Sequence, residues 1–146
     1  MNDENSDQIR LLLVEDSPAD VYLVREAIKK EGLNFHLEVA DNGEAAIQIL
    51  NRMDSDPDEP PPGLLLLDLN VPRKDGTQVL DRLRHSPRCG AIPVIMISSS
   101  DSPRDRRRAQ ELGVTEYFLK PSRLAEFMSL GKMVRRLCDS AHSYSA

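Results

Sequence analysis

Short apolar runs alternate with stretches of helical periodicity along the whole chain. The first run, Ile9–Val14, is followed at once by Ser17-Pro18, a helix cap with a proline in the first turn, where a missing N–H costs nothing. Val21, Val24 and Ile28 then share one helical face, Lys29 and Lys30 suit the negative end of the dipole, and Gly32 stops the helix. Phe35–Ala40 sets Phe, Leu and Val against His36 and Glu38, the alternation of a strand with one buried face. Asp41-Asn42-Gly43 punctuates it, and Ala45, Ala46, Ile49 and Leu50 supply a short helical stripe. Asn51–Gly63 is polar and rich in proline. Within it, Asp54–Pro62 predicts an exposed linker inside one domain, since neither side is long enough for a core of its own.

Leu64–Leu67 is the most apolar run and ends directly at Asp68. That is the pattern of a central parallel strand with a polar residue at its C-terminal edge, where open α/β sheets place ligands. Asn70–Gly76 reads as a loop, Val79, Leu80 and Leu83 as the inner face of a helix, and Pro87–Gly90 as its break. Ile92–Ile97 is a further buried strand, running into Ser98-Ser99-Ser100. Ser102-Pro103 caps a charged helix, Arg104–Leu112, anchored only by Ala109 and Leu112 and ended by Gly113. Tyr117-Phe118-Leu119 makes a short strand, and Leu124, Phe127, Leu130, Val134 and Leu137 recur at helical spacing through the last helix. The expected organisation is a short extension over 1–8, a domain over 9–138 and a tail over 139–146, poorly ordered from His142. Five strands alternating with five helices predict a doubly wound, three-layer α/β sandwich.

The composition narrows this further. A chain of 146 residues with 40% apolar but only 4% aromatic residues builds one core, mainly of Leu, Val, Ile and Ala. Cys89 and Cys138 form neither a disulfide framework nor a metal motif, which predicts a reducing, cytoplasmic setting. No apolar run predicts membrane insertion, and residues 1–10 lack the pattern of a signal peptide. The net charge of -5 hides an asymmetry, with acids concentrated before Asn70 and bases after it. This suits either an acidic pocket opposite a basic surface or an ordinary mixed surface.

Four of the predicted strands end in polar chemistry. Val14 leads to Glu15-Asp16, Leu67 to Asp68, Ile97 to Ser98-Ser99, and Leu119 to Lys120-Pro121. If these strands are parallel, the side chains meet at one edge. Three carboxylates there need a compensating cation, and a hard, oxygen-rich site suits Mg2+ with retained waters. A lysine beside them could neutralise Asp68 and hold anionic oxygens, a constellation suited to phosphate chemistry on a carboxylate. Taken singly, Glu15-Asp16 and Ser98 also read as caps, Lys120 as a solvated cation and Tyr117 as a half-buried strand aromatic.

Leu12-Leu13-Val14-Glu15-Asp16-Ser17, Leu67-Asp68-Leu69-Asn70-Val71-Pro72 with Asp75-Gly76, Ile97-Ser98-Ser99 and Leu119-Lys120-Pro121 resemble, in order, the motifs of the CheY-like response-regulator receiver family. The resemblance covers about Ile9–Cys138 and implies a flavodoxin-like five-stranded parallel sheet in the order 2-1-3-4-5. It implies that Asp68 accepts a phosphoryl group from a sensor histidine kinase or a histidine phosphotransfer protein. Mg2+ would be held by Asp16, Asp68 and the backbone carbonyl of Asn70, with Glu15 acting through water. Catalytic roles fall to Asp68, Ser98 and Lys120, the switch to Ser98 and Tyr117, and control of dephosphorylation to Asn70 and Ser100. The family often has a cis bond after the lysine. The insert before Leu64 and the basic pair Arg73-Lys74 are similar to phytochrome-linked single-domain regulators, which puts a phytochrome-type kinase among the candidate partners, although neither feature identifies the kinase or its input.

The resemblance further implies a downstream protein partner and a homodimer, to which Val134 and Leu137 could contribute, although a helix covering a sheet needs such residues for its own core. Arg104, Arg106, Arg107 and Arg108 read either as a docking patch or as a solvated face. No base-reading fold or interleaved aromatic residues accompany them, so no direct nucleic-acid binding is expected. The resulting expectation is a phosphoacceptor signalling module rather than a turnover enzyme. The alternatives are a silent adaptor of the same fold and a Mg2+-dependent phosphohydrolase, which would need a separate substrate pocket.

Overall fold

The computed structural model describes the backbone of residues 8–69 and 76–144, with side chains as far as Asp139. The expectations for Asn70, Val71-Pro72, Arg73-Lys74 and Asp75 lie outside the described residues. Five strands, β1 (Ile9–Val14), β2 (Phe35–Ala40), β3 (Leu64–Asp68), β4 (Val94–Ser98) and β5 (Glu116–Leu119), form one sheet in the order β2-β1-β3-β4-β5. Every pairing is parallel. Between them run α1 (Pro18–Lys30), α2 (Gly43–Ser55), α3 (Gly76–Arg84) and α4 (Pro103–Glu111), followed by α5 (Leu124–Phe127) and α6 (Ser129–Tyr144).

Strand periodicity decides which core each residue joins. Leu12, Val14, Leu65, Leu67, Val94 and Met96 face one side, where they pack with Leu50 of α2, Leu80 of α3 and Ala109 of α4. Their neighbours Leu11, Leu13, Leu64, Leu66, Ile95 and Ile97 face the other, against Val24 and Ile28 of α1, Phe127 of α5 and Val134 of α6. Both faces of β3 and β4 are covered, which is why these strands are continuous apolar runs rather than alternating ones. Val134 is fully buried in the second core, so it offers no surface for self-association.

Three boundaries differ by more than one residue from those the sequence predicts. β4 begins at Val94 because the Ile92 N–H turns back to the Cys89 carbonyl and Pro93 has no N–H to give a ladder. α2 continues through Asn51–Ser55 into the expected linker, and Asp54 is half-buried there, accepting from Ser86 Oγ at 2.6 Å and pairing with Arg82 at 2.7 Å. The last helix is divided, with Met128 between α5 and α6, and α6 runs on to Tyr144 through much of the expected tail.

Candidate functional site

Because the strands are parallel, their C-terminal ends share one edge. β1 delivers Glu15 and Asp16 there, and the Glu15 N–H continues the ladder to the Ala40 carbonyl. Ser17 then caps α1, its hydroxyl accepting from the Asp20 N–H at 3.3 Å, while the Ser17 N–H donates to Glu15 Oε2 at 3.1 Å. One turn therefore starts the helix and fixes the Glu15 carboxylate. Asp68 ends β3 opposite Ile97, and Ser98 ends β4 opposite Leu119. The Lys120 N–H donates to the Ser98 carbonyl at 2.7 Å, which carries the lysine into the site.

The Lys120 ammonium donates to Glu15 Oε1 at 2.9 Å, Asp20 Oδ2 at 2.8 Å and Asp68 Oδ2 at 2.9 Å. An ammonium has three donors, and three carboxylates engage this one. Burial pushes the Glu15 carboxyl up to about 7, with the neighbouring Asp68 charge adding to the rise, against the opposing hydrogen bonds from Lys120 and the Ser17 N–H. For Lys120 burial alone would lower the pKa. The bonds to Asp20, Asp68 and Glu15 outweigh it and hold the group above its ordinary value, so it remains an ammonium.

Glu15, Asp16 and Asp68 each present an oxygen within 4.8 Å of the others. Glu15 and Asp68 are buried while Asp16 is exposed, so one side of this all-oxygen set is open to water. That donor chemistry fits a divalent cation such as Mg2+, which prefers carboxylates and keeps part of its hydration shell.

Ser98 is fully buried, and its hydroxyl accepts from the Ser100 N–H at 3.0 Å. The Ser100 hydroxyl is engaged with the start of α4, donating to Asp105 Oδ2 at 2.6 Å and accepting from the Ser102 N–H. The Tyr117 hydroxyl donates to the Ser100 carbonyl at 2.8 Å, and the Arg106 guanidinium lies over its ring at 4.6 Å while also pairing with Asp101. Ser98, Ser100 and Tyr117 thus belong to one network at the β4–α4 loop. Lys120-Pro121 is trans, as are all peptide bonds among the described residues, in contrast to the cis bond suggested by the resemblance.

Asp20 is the site residue that sequence reasoning missed. In a Ser-x-x-Asp start its carboxylate reads as the acid of a helix's first turn, and nothing local announces a partner 100 residues away.

The family model for the response regulator receiver domain matches residues 11–131. The chain belongs to the response-regulator receiver family. It is 35% identical over 130 residues to the response regulator Rcp1 of Synechocystis sp., covering 89% of this chain and 88% of that one. The phosphorylated cyanobacterial phytochrome response regulator RcpA aligns with a TM-score of 0.80 at 29% identity, covering 91% of this chain and 95% of that one. The Mn(2+)-bound form of Rcp1 aligns with a TM-score of 0.75 at 34% identity, covering 86% and 91%. The chain is therefore a receiver domain related to phytochrome-linked regulators. Its acidic cluster is that of a phosphoaccepting signalling domain with a cognate kinase, and its chemistry is self-directed phosphotransfer rather than turnover of a separate substrate. No helix among the described residues is long and apolar enough to cross a membrane.

Proposed function

We propose that Asp68 accepts a phosphoryl group from the phosphohistidine of a sensor kinase or phosphotransfer protein and that the modified site signals through the β4–α4 surface. The observation that carries this reading is the Lys120 ammonium, 2.9 Å from Asp68 Oδ2, beside the oxygen cluster of Glu15, Asp16 and Asp68. A carboxylate oxygen of Asp68 forms a bond to phosphorus as the P–N bond breaks, and the departing imidazole nitrogen keeps that electron pair and takes up a proton. Asp16 and Asp68 would hold a divalent cation, with Glu15 acting through water, and the bound ion would supply positive charge for the transferring oxygens. Lys120 provides the second positive group and Ser98 the hydroxyl donor. Once the Ser98 hydroxyl turns to the phosphoryl group, it no longer accepts from Ser100, and the loop bearing Tyr117's acceptor is released. Asn70 and Ser100 are assigned to control of the attacking water in hydrolysis. The relatedness to RcpA and Rcp1 favours a phytochrome-type kinase, a protein target and a cytoplasmic location.

The test is intact mass after incubation with acetyl phosphate and Mg2+. A labile addition of about 80 Da, the size of one phosphoryl group, is expected in the parent chain and absent after chelation or in Asp68→Ala. No addition with either acetyl phosphate or a phosphorylated histidine donor returns the chain to the silent-adaptor reading.

A further inference from the structure

The three carboxylates on Lys120 are not equivalent. Glu15 is 2% exposed and Asp68 9%, whereas Asp20 is 26% exposed. Glu15 and Asp68 also belong to the oxygen set suited to a cation, and Asp20 does not. Asp20 stands in the first turn of α1, where the free N–H groups and the dipole favour a negative charge without help from a lysine. A phosphoryl oxygen on Asp68 can gain the Lys120 ammonium only if one of the three present bonds is given up or weakened. Releasing Glu15 would leave a buried carboxylate with one partner fewer, a costly change. Releasing Asp20 exposes its carboxylate to water and leaves it at a favourable helix end.

We infer that Asp20 is a placeholder for the phosphoryl group: it occupies the Lys120 ammonium in the resting state and is exchanged for a phosphoryl oxygen when Asp68 is modified. The inference rests on the phosphoacceptor reading above. Asp20 is accordingly a positioning residue that acts through Lys120, and it holds the unmodified state rather than assisting the transfer. Its carboxylate also repels the arriving anion, so both effects have the same sign.

The test uses the full chain with saturating Mg2+ and trifluoroberyllate, which binds a carboxylate oxygen as a phosphoryl mimic, followed by 19F NMR titration. Asp20→Asn, which keeps size and an acceptor but removes the charge, should bind trifluoroberyllate roughly tenfold more tightly than the parent. Asp20→Glu, which can still reach Lys120, should return affinity to near the parent value. A merely structural role in starting α1 would instead leave affinity unchanged or weaker, and either result overturns the inference. A crystal structure of the parent complex provides the direct readout. Lys120 Nζ on a fluoride with Asp20 Oδ2 hydrated supports the exchange, and Nζ still bonded to Asp20 overturns it. Binding by the parent without a gain in Asp20→Asn removes this inference alone. No binding by the parent removes the phosphoacceptor reading and this inference together.

Discussion

Glu15 is a buried carboxyl whose proton affinity is raised by the fold, and that has a stability consequence of definite sign. With its pKa moved from 4.5 to about 7, the folded chain holds more protons than the unfolded chain between those values. Stability from this group therefore falls as pH rises through that window and stays at its lower level above it, by an amount on the order of 3 kcal/mol for a shift of this size. Asp54 works in the opposite sense. Although burial would raise its pKa, bonds from Ser86, Arg82 and Arg88 lower it, so its contribution is present at neutral pH and lost only in acid. The two windows do not overlap between pH 5 and 8. Urea unfolding in EDTA should show the parent more stable at pH 5 than at pH 8, and Glu15→Gln should flatten that difference. A profile unchanged by the substitution would mean that Glu15 is already ionised at pH 5. At this scale the sequence identifies Glu15, Asp68, Ser98 and Lys120 by type and place, because each follows an apolar strand. It does not disclose Asp20, whose role depends on a lysine from the far end of the sheet.

Among the elements, the contrast between α1 and α4 carries a prediction about where the molecule opens. α1 buries Val24, Ala27 and Ile28, while α4 buries only Ala109, and a buried aliphatic side chain the size of Val or Ile is worth roughly 1.5–3 kcal/mol. α4 is held mainly by polar links: Ser100 to Asp105, Arg106 over Tyr117, and Arg84 reaching the Gly113 carbonyl at 2.7 Å just beyond it. Native-state hydrogen exchange should therefore find α4 amides opening well below the global unfolding free energy, and α1 amides near it. Equal protection in the two helices would contradict this assignment of anchoring. The weakness of α4 is legible in its sequence, since Arg104, Arg106, Arg107 and Arg108 leave room for little else. The end of α2 is not. Asn51 and Asp54 look like linker residues until Arg82, Ser86 and Arg88 arrive from α3 and its following loop to bind them. Arg88 in turn reaches the Asp56 carbonyl at 2.7 Å, and Arg52 ties Glu59 back to the helix, so the acidic segment is fastened at several points despite its composition.

For the whole molecule, the site is a product of topology more than of any segment. Lys120 lies 105 residues from Glu15, 100 from Asp20 and 52 from Asp68, and only the complete order β2-β1-β3-β4-β5 brings these ends together. The edge where they meet is the point at which the connections leave β1 in one direction and β3 in the other, the expected ligand position in an open parallel sheet. An unfolded or half-folded chain cannot assemble the oxygen cluster of Glu15, Asp16 and Asp68, so a cation held there binds only the native state. Linkage then fixes the outcome: Mg2+ at a hundred times its Kd should add about 2.7 kcal/mol to the unfolding free energy. In urea titrations the midpoint should rise while the slope stays constant, because the same surface is exposed with and without the ion. Asp68→Ala, which removes one donor of the cluster, should lose most of the gain. A rise of equal size in that variant would locate the stabilising cation elsewhere on this acidic chain, and a changed slope would mean that part of the sheet edge forms only when the ion is bound.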